Sequence, residues 1–130
     1  MRRSTGHGFA LTIAALSVVM ASSTAEAADT TDIVVIGGPS VVSDAVLEHL
    51  ETCTTGTVSR IAGSNRYATA AAVSTQTFPT ADTVYLATGL NFPDALAAGP
   101  VAAANGAPIL LVRTDSVPSE TLDEIDRLKP

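Results

Sequence analysis

Cysteine is nearly absent: the 130 residues contain one, Cys53, which excludes an internal disulfide framework and any multi-cysteine zinc site. Histidine is almost as scarce, with only His7 and His49, so a histidine-rich metal centre is excluded too. Tryptophan is missing and aromatic residues reach 4%, which leaves the core to be built from Ala, Val, Leu and Ile. Positive charge is also short, with seven Lys and Arg against thirteen Asp and Glu, a net charge of −6. A non-specific nucleic-acid binder or a polybasic membrane protein needs the opposite sign. What is plentiful is apolar surface: hydrophobic residues make up 46% and charged ones 15%, a balance that does not fit a disordered chain. The length leaves room for one domain.

The amino terminus predicts export. Arg2 and Arg3 form a short positive region, Phe9 to Met20 is an apolar run without charge, and Ala25-Glu26-Ala27 supplies a small-x-small cleavage site. Residues 1–27 are therefore read as a signal peptide cut after Ala27, and residues 28–130 as a single module. Ser4-Thr5-Gly6 follows the arginines where a twin-arginine signal would carry a hydrophobic pair, which favours ordinary secretion. An apolar run of about 12 residues falls short of the ~20 that span a bilayer, so no membrane association is expected after cleavage. Cleavage removes Arg2, Arg3 and Glu26 and leaves five basic against twelve acidic residues, a net charge of −7.

Beyond residue 32 the pattern alternates regularly. Asp32 to Gly38 is a β-branched run ended by glycines, which predicts a strand buried on both faces. Ser43 can cap a helix through Glu51 with Val46, Leu47 and Leu50 on one side. Val58 to Ile61 is a second strand. Ser64 or Asn65 caps a helix from Arg66 to about Thr77, with Tyr67, Ala70, Ala71 and Ser74 facing inward. Thr83 to Ala87 is a third strand, and a third helix starts near Pro93, a favoured first helical position. That helix is apolar nearly all round, which predicts burial, and Pro100 is expected to kink or split it. Pro108 to Val112 is a fourth strand, and Ser116 caps a last helix carrying Leu122, Ile125 and Leu128. Strands and helices alternating across short loops predict an α/β fold: a Rossmann-like parallel sheet of about four strands with helices on both faces.

In such a sheet, ligands gather at the carboxyl ends of the strands. That rim gathers the polar and glycine-rich loops Gly37 to Ser40, Gly63 to Arg66, Thr88 to Asp94 and Arg113 to Ser116. Catalysis is not indicated there. A serine hydrolase of this architecture needs G-x-S-x-G and a histidine, yet His49 is predicted to lie exposed along a helix. Gly37-Gly38-Pro39-Ser40-Val41-Val42 fails the G-x-G-x-x-G spacing of a dinucleotide site, and no histidine is placed to activate Cys53.

Anion binding is better supported, since a glycine turn that opens a helix presents free N–H groups and the positive end of the helix dipole. Arg60, Arg66 and Arg113 add three of the five cations left after cleavage near that rim. They form either an anion site or internal ion pairs with Asp94 and Asp115. Asn91 and Asp94 also suit plain loop and helix-start roles.

Four blocks in the chain resemble the type 2 cell wall-binding repeats of Gram-positive surface proteins. They are Arg60-Ile61-Ala62-Gly63-Ser64-Asn65-Arg66-Tyr67-Ala68-Thr69-Ala70; Val84 to Gly89 with Asn91-Phe92-Pro93-Asp94-Ala95-Leu96-Ala97; Pro108-Ile109-Leu110-Leu111; and Val35-Ile36-Gly37-Gly38-Pro39 with Val42-Ser43. The resemblance implies a non-enzymatic module without cofactor that attaches a protein non-covalently to the wall by binding an anionic, teichoic-acid-like polymer. It links Pro108 through Leu111 to that contact. An apolar strand cannot neutralise polymer charge, so those four residues are read here as positioning the loop from Arg113 to Ser116. The candidate polymer-binding set is Arg60, Ser64, Asn65, Arg66, Asn91, Asp94, Pro108, Ile109, Leu110, Leu111 and Arg113.

Members of that family usually carry three tandem repeats around a pseudo-threefold axis. Here each element occurs once, in a permuted frame that opens on a closing strand, which implies either a homotrimer or tandem repeats of a longer chain. The alternative function is a secreted small-molecule or phosphate-binding α/β domain, enzymatic or not, using the same rim.

Overall fold

The computed structural model describes residues 31–130; the signal segment read over residues 1–27 lies outside them. The order is β1 (Ile33–Ile36), α1 (Asp44–Glu51), β2 (Val58–Ile61), α2 (Arg66–Thr77), β3 (Tyr85–Thr88), α3 (Pro93–Ala104), β4 (Ile109–Val112) and α4 (Ser119–Leu128). The alternation predicted from the sequence is present, in mixed α/β order, with strand ends shifted by a few residues.

The sheet differs from the expectation. β1 pairs in parallel with β2, Ile33 opposite Val58, and β3 pairs in parallel with β4, Tyr85 opposite Ile109. These are two separate two-stranded sheets, where one sheet of about four strands was expected. α1 and α3 each close a β-α-β crossover within one sheet, whereas α2 leads from the first sheet to the second. α2 packs against both β2 and β4 and against α4, so a helix bridges the two sheets and no ladder joins them.

Small sheets leave strand faces bare, which corrects two further expectations. β1 is not buried on both sides: Val35 is buried, but Val34 is 51% exposed. The all-apolar α3 is not buried either, as Ala102 is its only buried residue. It packs chiefly on β3 and β4, and one helix face is all that a two-stranded sheet can cover. α3 also runs unbroken through Pro100.

The core gathers where α2 and α4 meet β4. Leu110 is completely buried in the middle of β4, a burial that contributes about 2 kcal/mol. Tyr67 and Ser74 are buried on the inward side of α2 as the spacing predicts. Thr121 of α4, also fully buried, donates its hydroxyl to the carbonyl of Leu111 at 2.7 Å and ties the helix to the strand. α4 starts at Ser119 after Pro118 rather than from a Ser116 cap; the Ser116 carbonyl instead accepts the Arg113 N–H at 3.0 Å, closing the preceding turn.

Candidate functional site

The amino end of α2 organises the rim. Asn65 Oδ1 accepts the N–H groups of Tyr67 and Ala68, both at 2.9 Å, and its Nδ2 donates to Glu120 Oε1 at 2.7 Å. The Asn65 amide is therefore committed to capping α2 and linking it to α4. This contact, together with the amide end of α4 and the field of Arg113, holds the Glu120 carboxyl below its ordinary value. The turn before α2 needs glycine: a Cβ on Gly63 would lie 2.4 Å from Ala68 Cβ and 2.5 Å from its carbonyl carbon. The end of β3 needs it too, since a Cβ on Gly89 would meet Tyr67 Cε1 at 2.6 Å. The Gly89 backbone thus rests on the Tyr67 ring, and the guanidinium carbon of Arg113 sits 5.3 Å from that ring's centroid.

The three arginines have different roles. Arg60 is mostly buried and donates to the carbonyl of Gly37 at the end of β1, with a 3.2 Å ion pair to Asp44. Arg66 makes the matching contact at the other sheet, donating to the carbonyl of Gly89. Among the described residues the ion pairs are Arg60–Asp44 and Arg127–Glu124, so the anticipated pairing of rim arginines with Asp94 and Asp115 does not occur. Arg66 carries no carboxylate partner there.

Two clefts open on the rim. The first, about 380 Å³, lies at the ends of β1 and β2 and is lined by Gly37, Gly38, Ser40, Ser64, Asn65 and Arg66, among others. The second, about 290 Å³, lies at the ends of β3 and β4, with Arg66, Thr88, Leu90, Asn91, Phe92 and Leu111 in its walls. Arg66 borders both. Of the candidate residues, Ser64, Asn65 and Arg66 share the first cleft and Arg66, Asn91 and Leu111 the second. Asp94 is exposed in the first turn of α3 and lines neither. Pro108 and Leu110 are buried and Ile109 half-buried in and before β4, where the Pro108 carbonyl accepts the Tyr85 N–H at 2.9 Å. Leu90 and Phe92, absent from the candidate set, form the apolar wall of the second cleft. Phe92 belongs to a loop-to-helix motif whose sequence gives no sign that its ring stands in solvent.

Among the described residues no group of three or more His, Cys, Asp or Glu could hold a metal ion, and no helix is long and apolar enough to cross a membrane. Cys53 is exposed and free.

Comparison with known proteins sets this geometry in context. The family model described as cell wall binding domain 2 matches residues 60–127. N-acetylmuramoyl-L-alanine amidase LytC of Bacillus subtilis (strain 168) is 36% identical over 72 residues, covering 55% of this chain and 14% of the amidase. The amidase enhancer of the same organism is 40% identical over 91 residues, covering 70% of this chain and 12% of the enhancer. Among solved structures, Cwp8 from Clostridium difficile superposes with a TM-score of 0.64 at 26% identity, over 75% of this chain and 16% of that one. The chain thus corresponds to a small part of each of these proteins.

Proposed function

Because the chain belongs to the cell wall binding domain 2 family, we propose that it is a secreted anchoring module that holds the cell wall non-covalently by binding an anionic, teichoic-acid-like polymer. It does so without catalysis and without a cofactor. The observation that carries this reading is Arg66: a cation with no carboxylate partner among the described residues, on a chain of net charge −6, placed where two clefts meet. A planar guanidinium with free donors matches phosphate or carboxylate oxygens. One N–H is already fixed on the Gly89 carbonyl, which holds the side chain in place and reduces the entropy lost when an anion binds.

Ser64 and Asn91 supply polar contacts on either side of Arg66, and Arg113 extends the positive field along the rim from its seat on Tyr67. Pro108 to Leu111 act from below, by fixing the strand from which the Arg113 loop leaves. Sedimentation with isolated cell walls, before and after chemical removal of their anionic polymers, tests the reading.

Two further parts of the proposal concern how the module reaches and holds the wall. It is exported by the segment ending at Ala27. It works as an assembly of three copies, or within a longer chain of repeats, since Val34, Ile36, Leu86 and Val101 leave strand and helix surfaces uncovered.

A further inference from the structure

The second cleft holds an exposed aromatic side chain. Of the aromatic residues among those described, Tyr67 is buried, Phe78 and Tyr85 are half-buried, and only Phe92 is exposed, at 75%. Leu90 beside it is 58% exposed. Both line a concavity of about 290 Å³ whose polar members are Arg66, Thr88 and Asn91, a volume at the small end for a ligand cleft and sized for one ring. Thr88 Oγ1 accepts the Leu90 N–H at 3.2 Å, which shapes the loop carrying Leu90 and Phe92. Arg66 closes the other wall, held by its bond to the Gly89 carbonyl.

An aromatic face, a lone guanidinium and a side-chain amide around one small cleft define a particular chemistry. The π face is negative and attracts the polarised C–H bonds on the apolar side of a sugar ring. The guanidinium selects a phosphate or carboxylate, and the Asn91 amide can both donate to and accept from hydroxyls. We infer that the second cleft is a subsite for a single anionic sugar unit, with Phe92 stacked on the ring and Arg66 on its charged group. The inference rests on the wall-binding reading and narrows it: the polymer unit recognised here is a charged sugar, not a bare polyol phosphate.

Titration of the protein with N-acetylglucosamine 1-phosphate, glycerol 1-phosphate and glucuronic acid tests this by NMR. N-acetylglucosamine 1-phosphate or glucuronic acid binds more tightly than glycerol 1-phosphate, with saturation transfer strongest on the ring C–H protons. Which of the two sugars binds identifies the anion as phosphate or carboxylate. Phe92→Ala, at an exposed position that leaves the fold intact, weakens sugar binding roughly tenfold without affecting glycerol 1-phosphate, and Phe92→Tyr restores it. Arg66→Gln weakens all three.

Equal affinities for the sugars and the polyol phosphate overturn the inference, as does unchanged sugar binding by Phe92→Ala. A change in light-scattering mass as the only effect of Phe92→Ala overturns it too, by assigning the patch to a second copy of the chain. Wall sedimentation separates the two readings. If Phe92→Ala sediments with walls as well as wild type, the subsite falls and the anchoring reading stands; if wild type does not sediment, the anchoring reading itself falls.

Discussion

Arg66 donates to the main-chain carbonyl of Gly89, a residue 23 positions further along the chain, and so joins the start of α2 to the end of β3. Arg60 does the same for Gly37 at the end of β1. Each glycine directly follows a strand, and a guanidinium donates to its carbonyl. Arg60 adds the Asp44 carboxylate, whereas Arg66 has no carboxylate partner among the described residues and borders both clefts.

Replacing Arg66 by Ala is therefore expected to separate binding from folding. The fold loses one hydrogen bond, a cost of about 1 kcal/mol, while wall binding weakens roughly tenfold or more. Added salt weakens wild-type binding as well, since screening acts over ~8–10 Å at ordinary ionic strength. Thermal melting by circular dichroism and wall sedimentation on this variant read the two effects. A large loss of stability with unchanged binding per folded molecule would make Arg66 part of the scaffold.

The α2–α4 contact has its own electrostatic anchor. Arg127 donates to both oxygens of Glu124 at 2.7 Å, and also to the carbonyls of Phe78 and Pro79 just beyond α2. Burial pushes the Glu124 carboxyl up, but hydrogen bonds from Arg127 and Thr75, together with the Arg127 charge, outweigh it and leave the group below its ordinary value. A carboxyl lowered in the folded state stabilises fully above its unfolded pKa and loses that contribution as pH falls through the folded one. Stability should be flat near neutrality and decline below about pH 4.5. Glu124→Gln should cost about 1–2 kcal/mol at pH 7, lower Tm by roughly 5–10 °C, and flatten the acid side of the profile.

Element order and α2 were legible because their signals are local. Asn65 is a cap residue followed by a helix whose inward spacing, Tyr67 and Ser74, is the one that is buried. The division into two sheets was not legible, since strand pairing is non-local and the same alternation serves one sheet or two. α3 reads as a buried helix because its residues are apolar all round, but composition states only that its surface favours burial. Leu96 and Val101 remain exposed among the described residues. At the candidate site, Arg66 is legible from its charge, while its hydrogen-bond partner is not, because a backbone carbonyl has no sequence signature. Arg113 has no carboxylate partner among the described residues and lies over Tyr67, a contact with no sequence signature. The exposure of Phe92 is not legible in the sequence, because its motif reads as a turn into a helix.

Export makes a prediction at the amino terminus. Mass spectrometry of the extracellular protein should find Ala28 as the first residue, and Met1 retained on extracellular material would contradict cleavage after Ala27.

Assembly follows from uncovered apolar surface. Val34 on β1 and Leu86 on β3 are each 51% exposed, more apolar strand surface than a stable lone domain usually leaves in water. Light scattering at micromolar concentration should give the mass of about three chains. A folded, stable monomer under the same conditions would contradict self-association.

The most direct test of the anchoring reading is sedimentation of the purified protein with isolated cell walls, compared with walls stripped of their anionic polymers. Co-sedimentation with intact walls, lost on stripped walls and reduced by salt, is the predicted result. Equal sedimentation with intact and stripped walls, or none with either, would contradict an anionic wall polymer as the ligand.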